Sequence, residues 1–115
     1  DGAFGFNAME LDTAVRHAVP IVIIIGNDGV WGIDYHQQVD LYGRAVATEL
    51  LPTRYDKMAE SLGAHGEYVE TTDGLEPALK RAFSAGKPAV VNIQTIPSPS
   101  PLTDWIIRVK GDAKS

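Results

Sequence analysis

The spacing of hydrophobic residues along the chain changes between that of helices and that of buried strands. Three segments repeat apolar residues three or four positions apart, which is the period of an amphipathic helix. The first segment is 7–18, with Asn7 as the predicted N-cap and Glu10 completing a capping box. The other two are predicted to begin at Thr53 and Asp73. The third helix is expected to bury Leu75, Ala78, Leu79, Ala82 and Phe83.

Strand patterns lie between these helices. Residues 21–25 form an unbroken β-branched run, which predicts a parallel strand covered on both faces. Residues 89–94 predict another strand and 64–70 a short one, whereas 33–52 predict a loop with a short helix or two. Because helices and strands alternate, we expect an α/β fold with three α/β/α layers and a mostly parallel sheet.

Composition narrows the class of protein. The 115 residues suffice for one domain, and 10 basic against 15 acidic residues leave a net charge of −5. With no Lys/Arg cluster, that charge argues against nucleic-acid binding. The lack of cysteine excludes disulfides and thiolate chemistry and fits a cytoplasmic protein. The longest apolar run, 20–25, is too short to span a membrane. Since the chain opens with Asp-Gly and no Met, we expect a C-terminal fragment of a larger multidomain enzyme.

Two carboxylates stand where strands are expected to end. Asp28 follows the β-branched run, and Asp1 precedes Gly2 at the start of the chain. Ligands of parallel sheets bind beyond the carboxyl ends of strands, where N–H groups such as those of residues 2–4 can point at phosphate oxygens. Two carboxylates, a loop carbonyl and two diphosphate oxygens would nearly complete a Mg²⁺ shell. The residues leave a second interpretation open, because Asp is also a common helix cap and Asn27-Asp28-Gly29 a common turn.

The wider motif resembles a known signature. Asp1-Gly2, the spacer 3–26 and then Asn27-Asp28 resemble the thiamine-diphosphate signature, which is Gly-Asp-Gly, a spacer of this length and Asn-Asn. The spacer itself is similar to that family, and Trp31-Gly32 follows at the expected place. The resemblance covers roughly residues 1–95. It is to the C-terminal cofactor-binding domain of the acetolactate synthase-like and 2-hydroxyacyl-CoA lyase-like superfamily.

The resemblance implies thiamine diphosphate and Mg²⁺ as cofactors. The metal ligands it implies are the Asp1 and Asp28 side chains and the Val30 carbonyl. The implied cofactor-binding residues are Asp1, Gly2, Ala3, Asn27, Asp28, Val30, Trp31 and Gly32. Two features depart from the signature: its leading Gly is absent, and Asp28 replaces the second Asn. A second carboxylate beside a diphosphate adds repulsion that only the cation can offset, so we expect tighter cation binding.

The resemblance also implies an activity. We expect an acetolactate synthase-like enzyme that joins two 2-oxo acids with loss of CO2. The alternatives are a 2-hydroxyacyl-CoA lyase or related aldehyde lyase, with aldehyde or acyl-CoA substrates, and, in another class, a non-catalytic flavodoxin-like binding or assembly module. The activating glutamate is expected in other domains of a homo-oligomer, a dimer or tetramer with its active site at the subunit interface. The 115 residues alone would then be inactive; within them, 1–95 would form the cofactor-binding domain and 96–115 a Pro-rich tail or arm.

Two residues are candidates for proton transfer. In related decarboxylases a carboxylate at about the offset of Asp34 handles protons, although an exposed turn carboxylate would have the same pattern. His36 is the best placed of the three histidines for such a role, with a plain surface position as the alternative. Trp31 and Ile33 could wall a substrate pocket, or Trp31 could be a packing anchor.

Overall fold

The computed structural model describes residues 1–99 together with 101, 105, 108 and 109. Helices and strands alternate along this part of the chain. Its helices are α1 (Gly2–Asn7), α2 (Glu10–Arg16), α3 (Gly32–Tyr42), α4 (Tyr55–Ser61) and α5 (Thr72–Ser84). Its strands are β1 (Val22–Asn27), β2 (His65–Val69) and β3 (Ala89–Gln94).

The strands form a parallel sheet in the order β1-β3-β2. Successive side chains of the central strand β3 point to opposite faces. Val90 packs with Leu11 of α2 and Ala59 of α4, whereas Val91 packs with Ala78 and Ala82 of α5. Helices therefore cover both faces of the sheet, and the predicted three-layer α/β fold is confirmed.

The first helix differs from the prediction. Asn7 is the last residue of α1 rather than an N-cap, and α2 begins at Glu10 after a turn. Asp1 occupies the N-cap position of α1 because its main-chain nitrogen is bonded to the Gly26 carbonyl, which places the start of the helix at the end of β1. The predicted apolar stripe still packs inward, with Leu11 and Ala14 buried.

Burial of two hydrophobic positions was also predicted wrongly. β1 lies at an edge of the described sheet, so Ile24 is 53% exposed rather than covered on both faces. Phe83 is 69% exposed although its helical pattern suggested burial. The inward positions of α5 are Ala78 and Ala82, and a residue one position further is rotated by about 100° away from that face.

The segment after β1 is more ordered than a loop. It enters α3 at Gly32, and α3 is capped after Tyr42 by Gly43, whose φ of 74° is the left-handed conformation that glycine adopts readily. None of the α3 residues is buried, which explains why no clear apolar stripe marked it. The chain then returns so that Val30 and Glu49 form an antiparallel bridge. This return holds the residues that follow β1.

No helix in the described ranges has the length and apolar character needed to cross a membrane. The Pro-rich tail predicted for 96–115 falls mostly outside the described residues, so it stays a prediction.

Candidate functional site

A cavity of about 420 Å³ opens at the carboxyl end of β1, between the first turns of α1 and α3. Its lining residues are Asp1, Gly2, Ala3, Gly26, Asp28, Val30, Trp31, Gly32, Ile33 and Asp34. This set includes every predicted cofactor-binding residue except Asn27. The residues come from two segments far apart in sequence, which the parallel sheet brings to one edge.

Asp1 reaches this cavity through its backbone. Its main-chain nitrogen donates to the Gly26 carbonyl at 2.9 Å, beside the end of β1. Although Asp1 stands at the N-cap position of α1, its side chain makes no capping bond. Its Oδ2 atom is buried and has no hydrogen-bond partner among the described residues. A buried carboxylate oxygen left in this way is costly unless a ligand pairs with it, so the helix-cap interpretation does not account for Asp1.

Asp28 has one oxygen in a turn. Its Oδ1 accepts the Val30 N–H at 3.2 Å, while Gly29 between them adopts a left-handed φ of 72°. The turn interpretation is therefore correct for Oδ1. A β-carbon at residue 32 would lie only 3.4 Å from Oδ2 of Asp28. Because residue 32 is glycine, the space beside Oδ2 stays open toward the cavity. No described N–H group donates to the Val30 carbonyl, which leaves this oxygen free for a ligand.

Trp31 is both a wall of the cavity and a packing anchor. A β-carbon at Gly2 would lie 2.8 Å from Cε3 of its indole, so the first turn of α1 touches the ring directly. The other contact is with Phe6, edge to face, at 5.1 Å between ring centroids. The indole thus sets the distance between α1 and α3.

The cavity is acidic. Asp1, Asp28 and Asp34 line it, with no Lys, Arg or His among the described lining residues. Positive potential comes instead from the N–H groups at the starts of α1 and α3. A bare diphosphate would meet net repulsion here, whereas a divalent cation would offset it.

The available donors fit a hard cation held together with a ligand. The described residues contain no group of three or more His, Cys, Asp or Glu side chains placed to hold a metal. Two carboxylates and a main-chain carbonyl, all oxygen donors, would leave positions for phosphate oxygens, as Mg²⁺ sites commonly do. The residues present therefore fit the predicted pair of Mg²⁺ and a diphosphate.

The two candidates for proton transfer lie in different surroundings. Asp34 is exposed in the first turn of α3 and lines the cavity. His36 is not among the lining residues; its ring packs edge to face on Tyr35 at 5.3 Å, and its Nε2 is buried without a partner among the described residues. The segment around both, predicted as a loop with a short helix or two, contains the 11-residue helix α3, which begins at Gly32.

Asn27 faces the interior rather than this cavity. Its Nδ2 donates to the Thr53 carbonyl at 2.9 Å and to Oδ1 of Asn92 at 3.2 Å. It lines a second cavity of about 260 Å³ on the other side of Asp28. The role of Asn92 was not predicted, since a single Asn inside a strand carries no motif.

An acidic cavity between two helix N-termini at the carboxyl edge of a parallel sheet defines a cofactor-binding α/β domain. Residues 1–93 match the model of a family described as "Thiamine pyrophosphate enzyme, C-terminal TPP binding domain". The chain belongs to this family. The predicted resemblance is thereby confirmed, as is thiamine diphosphate as the cofactor of the family.

Curated relatives carry several names. The chain is 56% identical over 99 residues to "Probable acetolactate synthase" of Mycobacterium bovis, a match covering 85% of this chain and 18% of the relative. It is 41% identical over 99 residues to "2-hydroxyacyl-CoA lyase" of Oryza sativa subsp. japonica, covering 81% and 17%. It is 40% identical over 93 residues to "Acetolactate synthase" of Bacillus subtilis, covering 81% and 16%. The chain thus spans less than a fifth of the length of these relatives.

Proposed function

We propose that the acidic cavity binds the diphosphate of thiamine diphosphate through Mg²⁺. Asp1, Asp28 and the Val30 carbonyl supply the protein ligands of the cation. The observation that carries this proposal is the buried Oδ2 of Asp1, which has no hydrogen-bond partner among the described residues and lies in a cavity whose described lining has carboxylates and no basic side chain. Such a site favours a cation, and a cation so held favours a diphosphate.

The N–H groups at the start of each helix complete the grip on the diphosphate. Those of Gly2 and Ala3 in α1, and of Gly32 in α3, lie in the lining of the cavity. First-turn N–H groups have no intrahelical acceptor, so they are free to donate to phosphate oxygens. Gly2 and Gly32 lack side chains that would fill the space these groups must reach.

Once bound, thiamine diphosphate supplies a nucleophilic thiazolium carbon, so the protein contributes binding and orientation. Asp34 also lines the cavity but is not one of the proposed metal ligands, so its carboxylate is available to transfer a proton near the substrate. His36 is not among the described residues that line this cavity, and a role for it in proton transfer stays a prediction. Trp31 and Ile33 provide the apolar wall.

For the complete protein we propose an acetolactate synthase-like activity on 2-oxo acids. The support is the 56% identity to the mycobacterial relative of that name. Cleavage of 2-hydroxyacyl-CoA is the second candidate, favoured by the 41% identity to the rice lyase. We further propose a cytoplasmic homo-oligomer in which other domains supply the activating glutamate. Assaying the complete protein with 2-oxo acids and with a 2-hydroxyacyl-CoA separates the two activities.

Calorimetric titration of the complete protein with thiamine diphosphate tests the binding proposal. Binding should appear with Mg²⁺ and vanish when the metal is chelated. Asp28→Ala should abolish Mg²⁺-dependent binding, whereas the matched variant His36→Ala on α3 should retain it. The metal assignment would be contradicted if both variants bound the cofactor equally well, or if the wild-type protein bound it equally well with and without Mg²⁺.

A further inference from the structure

A buried polar network joins the centre of the sheet to the turn that carries Asp28. At its centre is Asn92 of β3, which is fully buried. Its Nδ2 donates to the Thr53 carbonyl at 3.2 Å and to Oδ1 of Asp56 at 3.3 Å, and its Oδ1 accepts Nδ2 of Asn27 at 3.2 Å. One amide thus bonds to three segments: the end of β1, the start of α4 and the loop before it.

The far side of the network ends at a carboxylate paired with an arginine. Asp56, in the first turn of α4, is 2% exposed and receives two hydrogen bonds from Arg54, at 2.9 and 2.7 Å. The Arg54 guanidinium in turn lies over the ring of Tyr68 on β2, 3.9 Å from its centroid. A bidentate pair of this kind fixes both groups, so Asn92 is anchored against a carboxylate with little freedom.

The near side of the network holds the residues around Asp28. Asn27 is the preceding residue, and its carbonyl accepts the Thr95 N–H at 2.9 Å. Beyond Asp28, the Gly29 carbonyl accepts the Leu50 N–H at 2.7 Å. Asp28 itself makes only the bond from Val30 among the described contacts. Its direction is therefore set by its neighbours, and Asn27 is the neighbour attached to the core.

Stability alone does not explain such a network in the core. Replacing buried polar groups together by apolar side chains of similar shape is often neutral or stabilising. Residues on either side of Asn92, Val91 and Ile93, are apolar and pack well. The polar side chain of Asn92 is better explained by the orientation that it gives to the residues bonded to it.

We propose that Asn92 is a positioning residue for the cation site: through Asn27 it sets the direction of the Asp28 carboxylate toward the cavity. This inference rests on the proposed function. Groups hydrogen-bonded directly to metal ligands typically contribute about 10- to 100-fold to metal affinity, and Asn92 acts one residue further away, through Asn27. We therefore expect Asn92→Leu, which keeps the volume but removes the amide, to weaken Mg²⁺-dependent thiamine diphosphate binding by about tenfold, the lower end of that range.

The test compares neighbouring positions of one strand in the complete protein. Val91 is as buried as Asn92 but faces α5, away from the site, so Val91→Ala is the matched control. Mg²⁺ is titrated at a fixed thiamine diphosphate concentration, and the cofactor at fixed Mg²⁺, by calorimetry. Unfolding midpoints are measured alongside. Asn92→Ser, which retains a hydroxyl for Asn27, is the second variant and should weaken binding less than Asn92→Leu.

Each outcome bears on one proposal. Weaker Mg²⁺-dependent binding in Asn92→Leu than in Val91→Ala, measured at a temperature well below both unfolding midpoints, supports the inference. Equal binding by Val91→Ala and both Asn92 variants overturns the inference. The proposed function is unaffected by that result as long as the wild-type protein binds the cofactor with Mg²⁺. If Asn92→Leu does not fold, Asn92→Ser decides: binding equal to that of Val91→Ala overturns the inference. Wild-type protein that binds no cofactor with Mg²⁺ would instead overturn the proposed function itself.

Discussion

Gly2 packs so closely against Trp31 that a β-carbon at position 2 would lie 2.8 Å from Cε3 of the indole and 2.9 Å from Cδ2. Real β-carbons essentially never approach aromatic carbons to this distance. The ring also packs against Phe6, so a second residue of α1 contacts it. The width of the cavity between α1 and α3 therefore depends on the absence of a side chain at residue 2.

Gly2→Ala should therefore damage the cofactor site. The added methyl group must displace Trp31, and overpacking of this kind costs about 1–3 kcal/mol. We expect thiamine diphosphate to bind about tenfold more weakly in the presence of Mg²⁺, measured by calorimetry. Gly5→Ala is the control on the same helix, since its β-carbon would meet no atom of the described residues within 4 Å. It should leave binding unchanged; a similar loss in both variants would contradict the explanation.

A second glycine contact supports the fold instead of the site. A β-carbon at Gly66 of β2 would lie 2.3 Å from the carbonyl oxygen of Asp56, which belongs to the first turn of α4. Backbone cannot give way as a side chain can, so Gly66→Ala should lower the free energy of unfolding by about 1–3 kcal/mol or more. Chemical denaturation measures this. Gly26→Ala in β1 should change stability far less, because its β-carbon would have no atom of the part of the chain that the structure describes within 4 Å.

Some of this structure could be predicted from the pattern of residues. The bounds of β3 were predicted correctly as 89–94, because an apolar run buried on both faces follows a Gly-Lys-Pro turn. The meeting of Asp1 and Asp28 at one cavity was also predictable, since parallel strands end at a common edge. Both inferences use local pattern together with one general rule of sheet geometry.

Other features depend on contacts that no local pattern records. Helix α1 contains two glycines and no apolar stripe, and it begins where the Asp1 backbone meets Gly26. The bonds of Asn92 join residues 65 and 36 positions away along the chain. A lone Asn in an apolar run looks like an interruption of the strand until its partners are brought beside it. Hydrogen bonds between residues so far apart in sequence cannot be predicted from the helix and strand propensities of local segments.

Asp28 offers a test of the unusual charge in the signature. Asp28→Asn keeps an oxygen that can accept the Val30 N–H but removes a negative charge from the proposed cation site. A charge pair about 4 Å apart near a protein surface interacts by roughly 4 kcal/mol, so cation affinity should fall about tenfold or more. Binding of thiamine diphosphate without metal should improve, because repulsion of its phosphates is reduced.

Mn²⁺ binding followed by electron paramagnetic resonance measures the cation directly, and calorimetry measures the cofactor with and without Mg²⁺. Asp34→Asn is the matched control, since it removes a charge from the same cavity at a residue outside the proposed ligand set. Equal Mn²⁺ affinity of Asp28→Asn and Asp34→Asn would contradict the prediction, because it would show that the charge of Asp28 contributes no more to cation binding than that of any other carboxylate in the cavity.

The buried carboxylate of Asp56 makes stability depend on pH. Burial raises the pKa of Asp56, but hydrogen bonds from Arg54 and Asn92 outweigh this effect and hold the pKa below its ordinary value. In the unfolded chain Asp56 takes up a proton near pH 4. The stability that the ionised carboxylate contributes is therefore present above about pH 4 and is lost as the pH falls through the lower pKa of the folded state.

Arg54→Gln should lower the unfolding temperature at pH 7, because the carboxylate of Asp56 stays buried without its cation. Burial then dominates the pKa of Asp56 and raises it, so protonation on acidification relieves the variant. The gap in unfolding temperature between wild type and variant should be largest at pH 7 and shrink toward pH 3. Thermal melts followed by circular dichroism measure it. Arg16→Gln removes an exposed ion pair with Asp12 and should produce only a small change across this range. A gap for Arg54→Gln that stays constant or widens in acid would show that Asp56 is not the group stabilised by Arg54.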